Sequence, residues 1–268
     1  MRKVYKYEDR IDVFGSNLAG IHGAGHAKDV KNYFYAENGV GEGMTGQAYA
    51  LPTKDHNIKT RTLDQVSESL NKFLLFAAEN EKKQFFMARV GCGLAGFKDS
   101  EMIGLLNAHG SIPENVVLPG TWQNKVRGGK LLRLIIAGGR EFDDQEMLFE
   151  KTDESLEKAL DAGFDVEIIS GTARGADAMA IDYAKSRGLD WVEFPAPWNE
   201  FKERFGFNKT AGTMRNRWMA HFSMALLAFH DGKSTGTKSM IKLATDENLK
   251  VKVEKYGSDK SLQMTMEI

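Results

Sequence analysis

Glycine-rich loops that each follow an apolar run recur along this chain and constrain its fold more than any other feature. One set lies in the first half: Gly15-Ser16-Asn17-Leu18-Ala19-Gly20-Ile21-His22-Gly23-Ala24-Gly25, then Gly91-Cys92-Gly93-Leu94-Ala95-Gly96-Phe97. The other lies in the second half: Gly138-Gly139-Arg140, Gly171-Thr172-Ala173-Arg174-Gly175-Ala176-Asp177, and Asp231-Gly232-Lys233-Ser234-Thr235-Gly236-Thr237. Strand, tight glycine loop and helix in succession present backbone N–H groups to a phosphate with no side chain in the way. Two such sets predict two nucleotide-type sites.

Periodicity predicts alternating strands and helices, hence an α/β protein with parallel sheets and right-handed crossovers. In the first half, strands are expected at 11–14, 49–52, 84–90 and 115–119, with a helix over 25–35. Thr62 to Gln65 has capping-box spacing ahead of an apolar stripe at Val66, Leu70, Phe73, Leu74 and Ala77. Residues 120–130 are polar and aperiodic and are read as a linker. Beyond it, strands are expected at 131–137, 166–170, 191–194, 225–229 and 251–253, and helices at 145–162, 176–187, 213–222 and 237–245. The expected domains are 1–126 and 127–256, followed by a tail at 257–268.

Apolar residues make up 42% of the 268 and charged ones 27%, enough for a buried core in each half. The formal net charge of −1 and a reading that finds no basic stretch interleaved with aromatics set nucleic acid aside as a partner. The N-terminus lacks the apolar core of a signal peptide, no run is long enough to span a bilayer, and the single cysteine fits a reducing compartment. A cytoplasmic protein is expected, in the host cytoplasm if the chain is viral. No metal or cofactor is expected, because His22 and His26 have no third ligand nearby. Cys92 has no evident partner base and reads as a packing residue.

The stretch Gly15–Gly25 with Gly91–Phe97 resembles the macro domain, an ADP-ribose-binding fold. The resemblance implies a three-layer module. Asn17 would sit near the distal ribose, Gly20 to Gly25 (with Ile21, His22, Gly23 and Ala24) would form the first diphosphate loop, and Gly91 to Gly96 (Cys92, Gly93, Leu94, Ala95) the second, with Phe97 beside the ribose. No equivalent of the acidic residue that reads adenine stands out, Asp12 being the candidate within the strand.

The later series Gly138-Gly139-Arg140-Glu141-Phe142, Ser170 to Asp177, Arg215-Asn216-Arg217-Trp218-Met219 and Asp231 to Thr237 resembles the SLOG superfamily, which includes the Lonely-guy phosphoribohydrolases and DNA-processing proteins. That resemblance implies a Rossmann-like parallel sheet, homodimers or higher homo-oligomers, and a nucleotide site. Gly171, Thr172, Arg174, Gly175, Ser234, Thr235, Gly236 and Thr237 would hold phosphate, and Arg215 and Asn216 would read base or ribose. Asp177 reads as a first-turn acid favoured by the helix dipole. Where the enzyme members carry a glutamate, this chain has Met240, which can neither ionise nor donate a proton. The expected function is therefore binding of an ADP-ribose-like or NAD-derived nucleotide signal without turnover, as in a phage factor that blunts host immunity. The alternatives are an ADP-ribosyl or nucleotide N-glycosidic hydrolase and, after it, a nucleic-acid-handling protein.

Overall fold

The computed structural model describes residues 1–257 and divides the chain into two compact α/β units. Residues Lys6–Gly129 form the first; Met1–Tyr5 and the chain from Lys130 on form the second. Strand β1 (Arg2–Val4) therefore belongs to the second unit, where the reading above had placed residues 1–126 in the first.

The amino-terminal unit runs β2 (Arg10–Asn17), α1 (Gly25–Phe34), β3 (Gly43–Thr45), β4 (Ala48–Lys54), α2 (Leu63–Glu79), β5 (Gln84–Met87), α3 (Asp99–Ala108), β6 (Val116–Val117) and α4 (Gly120–Arg127). Its sheet has the order β3-β4-β2-β5-β6, parallel except for β3, which pairs antiparallel with β4. The predicted capping box is formed: Gln65 N–H donates to Thr62 Oγ1 at 3.3 Å and Thr62 N–H to Gln65 Oε1 at 3.1 Å. Behind it Val66, Leu70, Phe73, Leu74 and Ala77 are all buried against the sheet.

The expected linker at 120–130 is instead largely α4. Trp122 is buried and donates its indole N–H to Asp99 at 2.8 Å, while Arg127 donates to the carbonyls of Ile112, Pro113 and Val116. Trp122 and Val126 also pack on the core, but two apolar residues in so short a helix are too few for hydrophobic periodicity to show it. The strand predicted over 84–90 ends at Met87. The strand β3 and helix α3 were missed for lack of length and of periodicity respectively.

The carboxy-terminal unit continues with β7 (Leu131–Gly138), α5 (Gln145–Asp161), β8 (Asp165–Ser170), α6 (Ala176–Arg187), β9 (Asp190–Glu193), α7 (Trp198–Phe205), α8 (Ala211–Phe222), β10 (Ala225–His230), α9 (Thr235–Asp246) and β11 (Lys250–Lys255). All six strands are parallel in the order β1-β9-β8-β7-β10-β11. Leu134, Ile136, Ile168, Leu227 and Phe229 build one core, and Ile135, Ile169, Val192 and Leu226 are equally buried, so the central strands are covered on both faces. The expected tail falls, from Ser258 on, outside the described residues. No described helix is long and apolar enough to cross a membrane.

Near the amino ends of these strands a buried ionic cluster fastens β1 to the sheet. Glu167 accepts from Arg133 Nε at 2.8 Å and from Lys3 Nζ at 2.7 Å, and the Arg133 guanidinium lies 3.8 Å from the Phe222 ring centroid. Burial alone would raise the Glu167 carboxyl, but the bonds from Lys3 and Arg133 outweigh it and hold it below its ordinary value of 4.5. A depressed folded value means that this stabilisation is complete above the ordinary value and is lost as pH falls through the folded one. Glu167→Gln, which leaves Arg133 buried without its counter-charge, should cost about 3–5 kcal/mol at neutral pH. The gap to the parent should narrow in urea titrations as pH is taken below the ordinary carboxyl value of 4.5. An equal gap at both pH values would count against the cluster's role.

Candidate functional site

In an open parallel sheet, ligands bind outside the carboxyl ends of the strands where the strand order reverses. Here the order runs outward from β7 through β8 and β9 on one side and through β10 and β11 on the other, so the reversal lies between β7 and β10. Three loops leave the sheet at this end: Gly138-Gly139-Arg140 after β7, Gly171 to Gly175 after β8, and Asp231 to Ser234 after β10. They border a cavity of about 780 Å³, which α8 closes with Arg215 and Asn216. A second cavity of about 630 Å³ is bordered by Thr172, Arg174 and Pro195 and shares Arg140, Ala173, Trp198 and Arg215 with the first.

The β8 loop is held from inside. Asp177, in the first turn of α6, is buried; its Oδ2 lies 3.3 Å from Arg215 Nη1 and accepts from Ala173 N–H at 3.4 Å, and Arg215 also donates to the Gly171 carbonyl. Burial drives the Asp177 carboxyl upward, against the pull of Arg215 and of the Ala173 and Gly138 N–H groups, and burial likewise lowers Arg215. Ser170 Oγ donates to the Asp177 carbonyl at 2.6 Å and accepts from Thr172 N–H at 3.1 Å. Thr172 sits at φ 61°, a conformation that a β-branched residue adopts only when its surroundings impose it.

Helix α9 is prepared differently. Asp231 Oδ1 accepts from the N–H groups of Ser234 and Lys233 at 2.7 and 2.8 Å, which hold its carboxyl low, and Ser234 Oγ caps the helix by accepting from Thr237 N–H and Oγ1. Asn216 Nδ2 donates to the Gly236 carbonyl at 3.4 Å, tying α8 to that first turn. The hydroxyls of Ser234 and Thr237 and the Asn216 amide, expected to meet a ligand directly, thus also build the turn. The side chains of Arg140, Lys209 and Lys233 lie at the cavity rim, Met240 is buried in its wall, and Arg174 pairs with Glu141 at the second cavity.

In the amino-terminal unit the two expected loops approach one another: a Cβ built on Gly25 would lie 3.4 Å from Leu94 Cδ1, and one on Gly15 would lie 3.5 Å from Gly91 N. Gly91, at φ 83°, could not carry a side chain without meeting Phe97. Asn17 is bonded in both directions to the Ile21 backbone, at 3.0 and 2.7 Å, and so shapes the Leu18–Gly20 turn. His22 is buried edge-on against Phe14, and Gly20, at φ 66°, packs on Gly39. Gly23, Gly93 and Gly96 face open space, whereas Ile21 and Leu94 are exposed. Asp12, the adenine candidate, is buried between Arg10 and His26, at 3.1 and 3.2 Å. Burial, then Asp99, pushes the Cys92 thiol up to about 12, which leaves no thiolate for attack.

Sequence reasoning missed α7 and what surrounds it. Residues 198–218 carry Lys202, Arg204, Lys209, Arg215 and Arg217 against Glu200 and Glu203, interleaved with Trp198, Phe201, Phe205, Phe207 and Trp218. Trp198 contributes to both cavities and lies against Gly212, where a Cβ would come within 3.1 Å of its ring; the residue stays 39% exposed.

Residues 132–201 match the YAcAr family model, described as the YspA, cpYpsA-related SLOG family. The matched segment holds the first two loops of the crevice and the start of α7. Among solved structures, DNA processing protein A from Helicobacter pylori, described by its single-stranded DNA binding mode, is 21% identical with a TM-score of 0.33, over 46% of this chain and 64% of its own. DNA processing protein A from Streptococcus pneumoniae is 16% identical with a TM-score of 0.37, over 72% of this chain and 83% of its own. This chain spans just under two thirds of the Helicobacter protein, and no residue role is carried over from either. No curated protein matches the chain. The comparisons overturn the expected nucleotide-signal sensor and the exclusion of nucleic acid, since the structures matched are of DNA-processing proteins. The stretch at 198–218 removes the compositional argument on which that exclusion rested.

Gly175, at φ 79°, caps α6 where a Cβ would run into the Gly139 carbonyl oxygen. Gly175→Ala should destabilise the protein by about 1–3 kcal/mol from the backbone conformation alone. A urea midpoint equal to the parent's would contradict the close packing of the β7 and β8 loops.

Proposed function

We propose that the carboxy-terminal unit binds single-stranded nucleic acid along the crevice at the carboxyl ends of β7, β8 and β10. One observation carries the reading: two adjoining cavities share Arg140, Trp198 and Arg215, forming a trough open to a polymer rather than one closed pocket for a single nucleotide. Phosphates would lie against the first turn of α9, where the N–H groups of Thr235 and Gly236 and the positive end of the helix dipole meet Lys233 and Arg140. A base would stack on Trp198, which packs against Gly212 in the first turn of α8. Phosphates and π faces are common to every nucleotide, so binding would tolerate any sequence. The reading assigns binding and no chemistry.

For the amino-terminal unit, the macro-like fold is likewise proposed, supported by the approach of its two glycine loops at the ends of β2 and β5.

Fluorescence anisotropy with a labelled oligothymidylate tests the crevice. Affinity should fall with salt, with a logarithmic slope of about −0.7 per phosphate neutralised, and Arg140→Ala should lower the slope by about that amount. Trp198→Ala should weaken binding about 5- to 150-fold, the equivalent of roughly 1–3 kcal/mol for one stacked base. Absence of salt-dependent binding, or equal affinity in the Trp198 variant, would overturn the reading.

A further inference from the structure

Phe207 is 46% exposed although phenylalanine gains most by burial, and it stands two residues before Lys209, which borders the larger cavity. It stands in the short connection between α7 and α8. Gly206, at φ 71°, ends α7 in the left-handed conformation, and from there the aromatic rings run inward. Phe207 lies 6.2 Å from Phe205, which lies 5.1 Å from the fully buried Phe201. The ladder roots an exposed ring in the core and so lowers the entropy lost when something stacks on it.

Both ends of this segment border the crevice, with Trp198 at the start of α7 and Lys209 just beyond its end. From Trp198 to Phe205 the helix rises roughly 10 Å, about three stacked nucleotides at roughly 3.4 Å each. Resting on the crevice reading above, we infer that Phe207 is a second stacking station, so that a single strand leaving Trp198 runs along α7 and is held again at Phe207. The occupant is a nucleic-acid strand rather than an apolar peptide, because Lys202, Arg204 and Lys209 stand within five residues of the exposed ring in sequence, against Glu203 alone. A polyanion with π faces matches both this local positive excess and the ring.

The inference predicts a length dependence that the crevice alone does not. The full chain and its Trp198→Ala, Phe207→Ala and Phe207→Tyr variants are titrated with oligothymidylates of 3, 6, 9 and 12 nucleotides. Trp198→Ala should weaken every length that binds. Phe207→Ala should match the parent on the trimer and lose about fivefold or more on the 9-mer and 12-mer, with Phe207→Tyr restoring the loss. If the parent binds and Phe207→Ala equals it at all lengths, or loses equally at all lengths, the second station is wrong while the crevice stands. If the parent binds none of the oligonucleotides, crevice and second station fall together.

Discussion

The buried pair between Asp177 and Arg215 is the contact on which the crevice depends. It joins the first turn of α6 to α8, and through the Gly171 carbonyl and the Ala173 and Gly138 N–H groups it reaches the loops after both β7 and β8. Such a pair adds little net stability, because desolvating two charges offsets most of their attraction. What it supplies is position. Thr172 at φ 61° would relax in a free loop and is held here by the Ser170 hydroxyl, while Gly175 at φ 79° gives the close approach to Gly139 that a side chain would block. It also divides the labour of the two helix starts. The Asp177 carboxylate already takes the Ala173 N–H of the β8 loop and the Gly138 N–H at the end of β7, whereas Asp231 and Ser234 stay in the capping turn of α9 and leave Thr235 and Gly236 facing the cavity. On the proposed reading, an incoming anion is therefore best received at α9.

Stability and site sit at opposite ends of the same strands. The Lys3, Arg133 and Glu167 cluster lies near the amino ends of β7 and β8, the glycine loops at their carboxyl ends. Because Lys3 comes from the start of the chain, the carboxy-terminal sheet takes its edge strand from more than 120 residues away; Arg2 pairs with Trp191 and Val4 with Glu193. A fragment beginning at Lys130 would leave the outer edge of β9 unpaired and the Glu167 carboxylate short of one partner.

The strands with continuous apolar runs were legible because burial on both faces leaves no room for polar residues; β7, β8 and β10 fall within a residue or two of expectation. Helices bounded by a chemical signal were equally plain: Thr62 and Gln65 start α2, and Gly188, at φ 65°, stops α6. What failed to show were elements held by partners distant in sequence. Strand β1 has three residues and exists through β9, and α4 is docked by Trp122 on Asp99 and by Arg127 on three carbonyls. The glycine loops were found at the residue level, but not that Asn17 and Ser234 turn their polar groups onto nearby backbone and Asn216 onto the Gly236 carbonyl of α9. Sequence shows that such groups are present and cannot show whether the fold has already used them.

The exclusion of nucleic acid failed for a related reason. A net charge of −1 is an average over the whole chain, whereas binding to a strand depends on the charge and ring density of one face. Within 198–218 the same residue types serve two ends: Phe201 and Trp218 are buried and fasten α7 and α8 to the unit, while Trp198 and Phe207 stand exposed beside Lys209. The sorting comes from Gly206, which ends α7 and turns Phe207 outward, and from Gly212, whose missing side chain lets Trp198 lie across the start of α8. Two glycines, one ending α7 and one in the first turn of α8, rather than any excess of lysine or arginine, convert a core-forming pattern into an aromatic rim.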